Sequence, residues 1–409
     1  MPTLVDLREY EHRTIALGEA TARRLRAAAD GHVEVLQADG AGLYEIVATQ
    51  YVGTISLPEI QLLIRPKVGL ANLFWLLEAG GSPVPTTGET FSYATDRDLL
   101  AAFATFFARV LDGTIARGLR RDYRQHNERL PVLRGRVDLA EQLRQPTIQT
   151  PLACQFDEYT ADIIDNRLLK AAARRLVLLP GVPSLTRRRL LRQLTMFDEV
   201  ADDGPDPDAV LRMHFHRLNR HYEPALRLAR LVLRCSALVD QGGRSVASTF
   251  LLDMNKVFEE FVEHRLRRAL DGRLDLEGQG RGLRLDAQRR VTIKPDLVFR
   301  YPRSEAPAYV GDIKYKLTAN GLGRESDYYQ LLAYTAALGL DEGVLVYFQH
   351  DGDVPADFVT VSNVGKVLRT FALDLAGDRS AIEREIEQLA DWIVARAHDS
   401  SSKSALTGV

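Results

Sequence analysis

The 409-residue sequence is poor in cysteine, with Cys154 and Cys235 as its only two. Two thiols exclude a disulfide framework, a four-cysteine zinc site and a cysteine-held iron–sulfur cluster. No apolar run reaches the ~18–20 residues that span a bilayer. The opening residues carry charge from Asp6 onward, with no apolar signal core. A soluble, cytoplasmic protein with no membrane role is the expectation. The phosphate-cradling loop Gly-x4-Gly-Lys-Ser/Thr is also missing, because the one Gly-Lys pair, Gly365-Lys366, is followed by Val367. Work driven by ATP or GTP would therefore take its nucleotide from a partner.

What remains is ordinary globular material, 45% hydrophobic and 26% charged, with 29 Gly and 17 Pro. At ~100–200 residues per domain, two or three domains are expected. The net charge of −2 conceals a bias within the basic residues, 45 Arg against 8 Lys. A GC-rich genome is the simplest source. Against that background each Lys is informative, and Lys294, Lys314 and Lys316 fall within one short stretch.

Periodicity divides the chain. Residues 1–95 are β-rich, with strands expected at Leu43–Val47, Ile55–Leu57 and Ile60–Arg65, then a helix over Leu70–Leu77. Residues 96–245 are helical and basic. Leu99–Arg117 has an apolar face through Leu100, Phe103, Phe106, Phe107 and Val110. Asp165–Arg192 holds eight basic residues and one acid, and Arg212–Arg234 six and one. Such faces are either solvated or track phosphates. Residues 246–398 mix helix and strand. Residues 399–409 have the composition of a disordered tail. The fold class expected is a multidomain α+β protein with a β-rich N-terminal domain, a helical middle and a C-terminal α/β domain built on a mixed central sheet. His214, His216 and His221 are read as polar or packing histidines, and Trp75 and Trp392 as core.

The chemistry concentrates in residues 291–316, two strands joined by a turn at Pro302–Pro307. Alternation places Asp312, Lys314 and Lys316 on one face and Ile313 and Tyr315 on the other. Asp296 on the preceding strand can project beside them. Charges on core strands are costly unless they pair or bind a cation. An ion pair closing a hairpin is the plain alternative, and Asp-x-Lys alone does not exceed it. The surroundings add to it. A helix over Met254–Leu270 puts Glu259 at the edge of its apolar face and Glu260 opposite. Downstream, Ser326 or Asp327 can cap a helix on which Gln330 and Tyr334 share a face. Gly343–Phe348 then reads as a buried strand.

This order resembles the PD-(D/E)xK nuclease superfamily. The resemblance implies that Asp296 and Asp312, with the Ile313 carbonyl and Glu259, hold one or two Mg²⁺ ions through oxygen ligands. It implies that Lys314 positions or deprotonates the attacking water, with Lys316 a second candidate amine. Gln330 and Tyr334 would orient the site or touch the DNA backbone. Lysine suits this role because its pKa shifts readily, while arginine stays protonated.

The chain is further similar to the McrC family, the nuclease subunits of McrBC-type modification-dependent restriction systems. The similarity rests on Leu62–Lys67, Leu133–Asp138, Cys154–Thr160, Asp162, Asn166–Leu169, Asn219, Tyr222, Asp253–Asn255 with Phe258-Glu259, and the nuclease motif. It implies a Mg²⁺-dependent DNA endonuclease that acts with a McrB-like AAA+ GTPase, the partner binding GTP. The N-terminal half would dock on that GTPase and stimulate it. The substrate would be double-stranded DNA carrying a modified base, and the subunit would dimerise to cut both strands. Two other functions fit less of the pattern. One is an adaptor that stimulates the GTPase and tethers it to DNA. The other is a RecB-like repair nuclease, a class that often carries four cysteines or a fused helicase.

Overall fold

The computed structural model describes residues 2–77, 99–144, 151–204, 206–241, 244–278, 280, 282–315, 325–349, 358–375 and 377–407. The chain divides into two compact units. One joins Met1–Gly80 with Leu251–Val409, and the other is Gly81–Phe250. The first and last segments thus cluster together.

The N-terminal part of the first unit contains β1 (Thr3–Arg8), β2 (His12–Ala16), α1 (Glu19–Ala29), β3 (Val33–Gln37), β4 (Leu43–Ala48), β5 (Tyr51–Ser56), β6 (Ile60–Arg65) and α2 (Leu70–Leu77). Strand β1 lies parallel to β6, with Thr3 opposite Ile60 and Arg8 opposite Arg65. Strands β2, β4 and β3 form a small antiparallel sheet. Helix α1 buries Ala22, Leu25, Ala28 and Ala29, one face at helical spacing. It stops at Asp30, which takes a left-handed conformation with φ 46°.

The second unit holds α3 (Leu99–Ile115), β7 (Asp122–Leu130), β8 (Arg136–Val137), α4 (Leu139–Gln142), β9 (Leu152–Thr160), α5 (Ile164–Leu178), α6 (Ser184–Leu194), α7 (Glu223–Cys235), β10 (Ser236–Gln241) and most of β11 (Arg244–Asp253). Its helices bury Phe103, Phe107, Leu168, Leu169, Leu226 and Ala229. The middle of the chain is therefore not helical alone. Strand β7 pairs with β9 over nine residues, and β8 adds to β9. Strand β7 is polar along nearly its whole length, so no apolar alternation announces it. Its pairing with β9 makes it a strand.

The chain returns to the first unit through α8 (Met254–Ala269), β12 (Asp275–Gly278), β13 (Leu297–Arg300), β14 (Pro307–Lys314), α9 (Glu325–Leu338), β15 (Glu342–Gln349), β16 (Phe358–Thr360), β17 (Val367–Asp374) and α10 (Arg379–Thr407). The six strands form one mixed sheet in the order β12-β13-β14-β15-β17-β16. Neighbours are antiparallel except β14–β15 and β15–β17, which are parallel. A parallel pair needs a crossover, and α9 supplies it between β14 and β15. Side chains of β14 alternate between two helical layers. Tyr309 and Tyr315 meet Trp392 of α10 and Phe258 of α8, whereas Val310 packs with Leu331 and Tyr334 of α9. Helix α9 sits close to the sheet because residue 343 is glycine. A Cβ there would stand 2.9 Å from both Leu331 Cδ1 and Thr335 Cγ2.

Helix α10 buries Ile382, Ile386, Leu389, Ile393 and Ala397, a stripe at helical spacing. It runs on through residues 399–407, which were expected to be a disordered tail. No glycine or proline interrupts it before Thr407. No described helix is long and apolar enough to cross a membrane.

Candidate active site

The hairpin of β13 and β14 brings Asp296 and Asp312 together. Asp296 lies just before β13, while Asp312 sits two residues from the end of β14 and is 1% exposed. Each strand holds the other's carboxylate. The Ile313 amide donates to Asp296 Oδ2 at 2.9 Å, and the Asp296 amide donates to Asp312 Oδ1 at 3.4 Å. Two residues on, Lys314 returns to the same face, with Nζ 2.5 Å from Asp312 Oδ2. That oxygen is buried and makes no aligned hydrogen bond among the described residues, so the contact is charge against charge.

Helix α9 completes the arrangement. Lys314 Nζ donates to Gln330 Oε1 at 3.1 Å, and Gln330 Nε2 donates to the Tyr334 hydroxyl at 2.6 Å. The Tyr334 hydroxyl then donates to the Lys294 carbonyl at 3.2 Å. One hydrogen-bonded line thus runs from the amine across the helix and back to the segment before Asp296. Helix α9 begins at Glu325, so Ser326 and Asp327 fall inside its first turn rather than before it. Asp327 is buried and accepts a hydrogen bond from the Tyr347 hydroxyl at 3.1 Å.

The electrostatics follow from this crowding. Burial, then the charge of Asp312 and next that of Glu259, push Asp296 up to about 9. Burial by itself pulls the Lys314 amine down, but the carboxylates of Asp312, Asp296 and Asp327 outweigh it and leave it above its usual value. The Tyr334 hydroxyl is pushed up by burial and by the charge of Asp312. Crowding carboxyl groups around one amine thus disfavours their ionisation, and a bound cation would reverse that.

Among the described residues no three His, Cys, Asp or Glu side chains converge on a point that could hold a metal ion. Mg²⁺ does not require three, since it keeps several waters and is commonly held by one or two carboxylates. The donors that fit are the half-buried Asp296 and the buried Asp312 carboxylates with the Ile313 carbonyl, all hard oxygens. Glu259 is half-buried on α8 and reaches Asp296 through its charge. Glu260 is exposed. Lys316 lies outside the described residues.

Five of the six side chains expected at the site, Asp296, Asp312, Lys314, Gln330 and Tyr334, are linked by direct contacts. Tyr347 and the Lys294 carbonyl were not foreseen. Tyr347 stands opposite Lys314 in the β14–β15 register, which is visible only once the strands are paired.

Other segments that carried the family resemblance hold the second unit together. The Arg134 guanidinium stacks 4.1 Å from the Phe156 ring, and Asp138 caps α4. Asn166 Nδ2 donates to the Arg120 and Ala161 carbonyls at 2.8 and 2.7 Å. The Arg167 guanidinium holds the Asp162 carboxyl down at about 2. The Tyr222 hydroxyl accepts from the Arg120 amide at 2.7 Å. Asn219 bonds the His214 carbonyl and the His216 amide. In the first unit Trp75 is buried edge-on to Phe261.

A family model, "McrBC 5-methylcytosine restriction system component", matches residues 46–348, more than half of the chain. The chain belongs to the McrBC family. This McrBC component is also similar in fold to a chain of a Thermococcus gammatolerans structure described as a "refined half-complex from tetradecameric assembly" of "McrB AAA+ hexamers with bound McrC". The TM-score is 0.55 at 20% identity, covering 96% of this chain and 100% of that one. A second structure, of the Thermococcus gammatolerans McrBC complex, matches with TM-score 0.42 and 24% identity over 66% of this chain and 88% of that one. No curated protein matches.

Proposed function

We propose that this McrBC component is the endonuclease subunit of its restriction system, hydrolysing phosphodiester bonds in double-stranded DNA with Mg²⁺ and working with a McrB-like AAA+ GTPase. The observation that carries this reading is the reciprocal bonding of Asp296 and Asp312 across a hairpin, with the Lys314 amine 2.5 Å from Asp312. A buried carboxyl, a half-buried one and an amine form an expensive cluster to fold. A Mg²⁺ held by Asp296, Asp312 and the Ile313 carbonyl would offset that cost, polarise the scissile phosphate and lower the pKa of a bound water. Lys314 would hold that water in line, and the Gln330–Tyr334 line would fix the amine. Glu259 would tune the Asp296 carboxyl through its charge. Family membership and the McrB hexamers described for the similar structure support this choice of partner. The partner would bind GTP, and the base modification would be read outside the Asp296–Asp312 site. Cutting both strands takes two such sites, so two copies would meet at cleavage.

The test uses the complex of this chain with its GTPase on modified duplex DNA. Asp312→Ala should abolish cleavage while GTPase stimulation persists. Cleavage at the wild-type rate would overturn the assignment. An adaptor function predicts that outcome and an unchanged GTPase.

A further inference from the structure

The buried carboxyl of Glu9 has no place in the cluster described above, yet it touches Tyr315, the residue that follows the strand bearing Asp312 and Lys314. Glu9 is the residue after β1 and is 1% exposed. Its amide donates to the Arg65 carbonyl at 3.1 Å. Its Oε1 accepts from the Lys67 amide at 2.8 Å and from the Tyr315 hydroxyl at 3.2 Å. One oxygen therefore ties the ends of β1 and β6 to the residue next to Lys314. The following residue, Tyr10, has φ 62°, a conformation that side chains other than glycine rarely adopt, so the turn carrying Glu9 is held by its surroundings. On the other side, the Tyr315 ring stacks on Phe348 at 5.0 Å and leans on Phe258 at 5.8 Å. Phe258 is the neighbour of Glu259. The Tyr315 ring is thus fixed by stacking, and its hydroxyl by Glu9.

Resting on the nuclease reading above, we infer that Glu9 is a positioning residue: its hydrogen bond to Tyr315 fixes the end of β14 and so the placement of the Lys314 amine. The strand pairing of β14 with β15 ends at Lys314 opposite Tyr347. Beyond that point the ladder no longer sets the backbone, and Tyr315 is the first residue held by other means. A displacement of order 1 Å at a catalytic group can cost ~10²-fold in rate. The Glu9–Tyr315 bond controls a shift of that size without touching the substrate.

The experiment measures cleavage at saturating DNA and GTP in the complex with the GTPase. The variants are Glu9→Ala, Glu9→Gln, Tyr315→Phe, the double variant Glu9→Ala/Tyr315→Phe, and Lys314→Ala. Tyr315→Phe removes only the hydroxyl and keeps the stacking, so it guards against a Glu9→Ala chain that fails to fold. The expected result is a rate lowered ~10–100-fold in both single variants, with DNA affinity unchanged. The double variant should lose no more than either single one, and Glu9→Gln, which keeps the accepting oxygen, should restore most of the rate. If Tyr315→Phe cleaves at the wild-type rate while Lys314→Ala does not, the positioning role is overturned. If Lys314→Ala itself cleaves normally, the nuclease reading fails instead.

Discussion

The Ile313 amide donates to the Asp296 carboxylate at 2.9 Å, so the residue after one acid clamps the other. This bond aims Asp296 at Asp312 and keeps the two carboxyl groups close, which favours a proton held on Asp296. A divalent cation bound there would take the place of that proton, and the folded chain would present the pair preformed.

Mg²⁺ should therefore stabilise the wild-type protein and fail to stabilise Asp312→Asn. At one hundred times the dissociation constant the expected gain is ~2.7 kcal/mol, a rise of several degrees in the thermal midpoint. Differential scanning calorimetry with and without Mg²⁺ checks it. Equal responses in the two proteins would count against the Asp296–Asp312 pair as the metal site.

Lys314→Arg should keep the fold and lose cleavage by ~10²-fold or more, the scale of a lost proton-transfer or water-orienting group. The amine is wedged between Asp312 Oδ2 at 2.5 Å and Gln330 Oε1 at 3.1 Å. A guanidinium is wider and stays protonated. Single-turnover cleavage, with circular dichroism as a folding control, decides the matter.

Much of this site was legible in the sequence for one reason: strand alternation is rigid. Asp312 and Lys314 had to share a face wherever β14 lay, and Gln330 and Tyr334 had to share one on any helix. The Asp296–Asp312 pair needed only an antiparallel hairpin. What alternation does not supply is register between distant segments. Tyr347 faces Lys314 because β15 lies parallel to β14, and Glu9 meets Tyr315 across 306 positions of sequence. Neither follows from local pattern. Strand β7 stayed hidden for the opposite reason, since its residues are polar on both faces and only β9 makes them a strand. The composition of residues 399–409 suggests a tail, yet serines lower helix propensity without ending a helix that has already begun at Arg379.

Glu9 also gives a pH signature. Burial raises its carboxyl from 4.5 to about 7, so the folded chain keeps a proton that the unfolded chain has lost. The associated stability is fully present below pH 4.5 and is lost as pH rises through 7. The loss is on the order of 3 kcal/mol. Glu9→Gln lacks this titration, so its stability relative to wild type should improve between pH 4.5 and 8. Denaturant unfolding of both proteins at several pH values measures the gap, and a constant gap would refute the expectation.

Tyr222→Phe tests the second unit alone. It deprives the Arg120 amide of its acceptor at 2.7 Å. Leaving that donor unpaired should cost ~1–3 kcal/mol. The unfolding midpoint should fall, while the cleavage rate per folded molecule stays at the wild-type value.

The bare backbone at Gly343 gives the crossover helix no slack. A helix seated directly on a strand cannot slide over it, so Gln330 and Tyr334 move with the sheet as one piece. The line from Lys314 to the Lys294 carbonyl is then closer to a fixed gauge than to a hinge. A methyl added at residue 343 would press on the ends of the Leu331 and Thr335 side chains, the residues that follow Gln330 and Tyr334 in the helix.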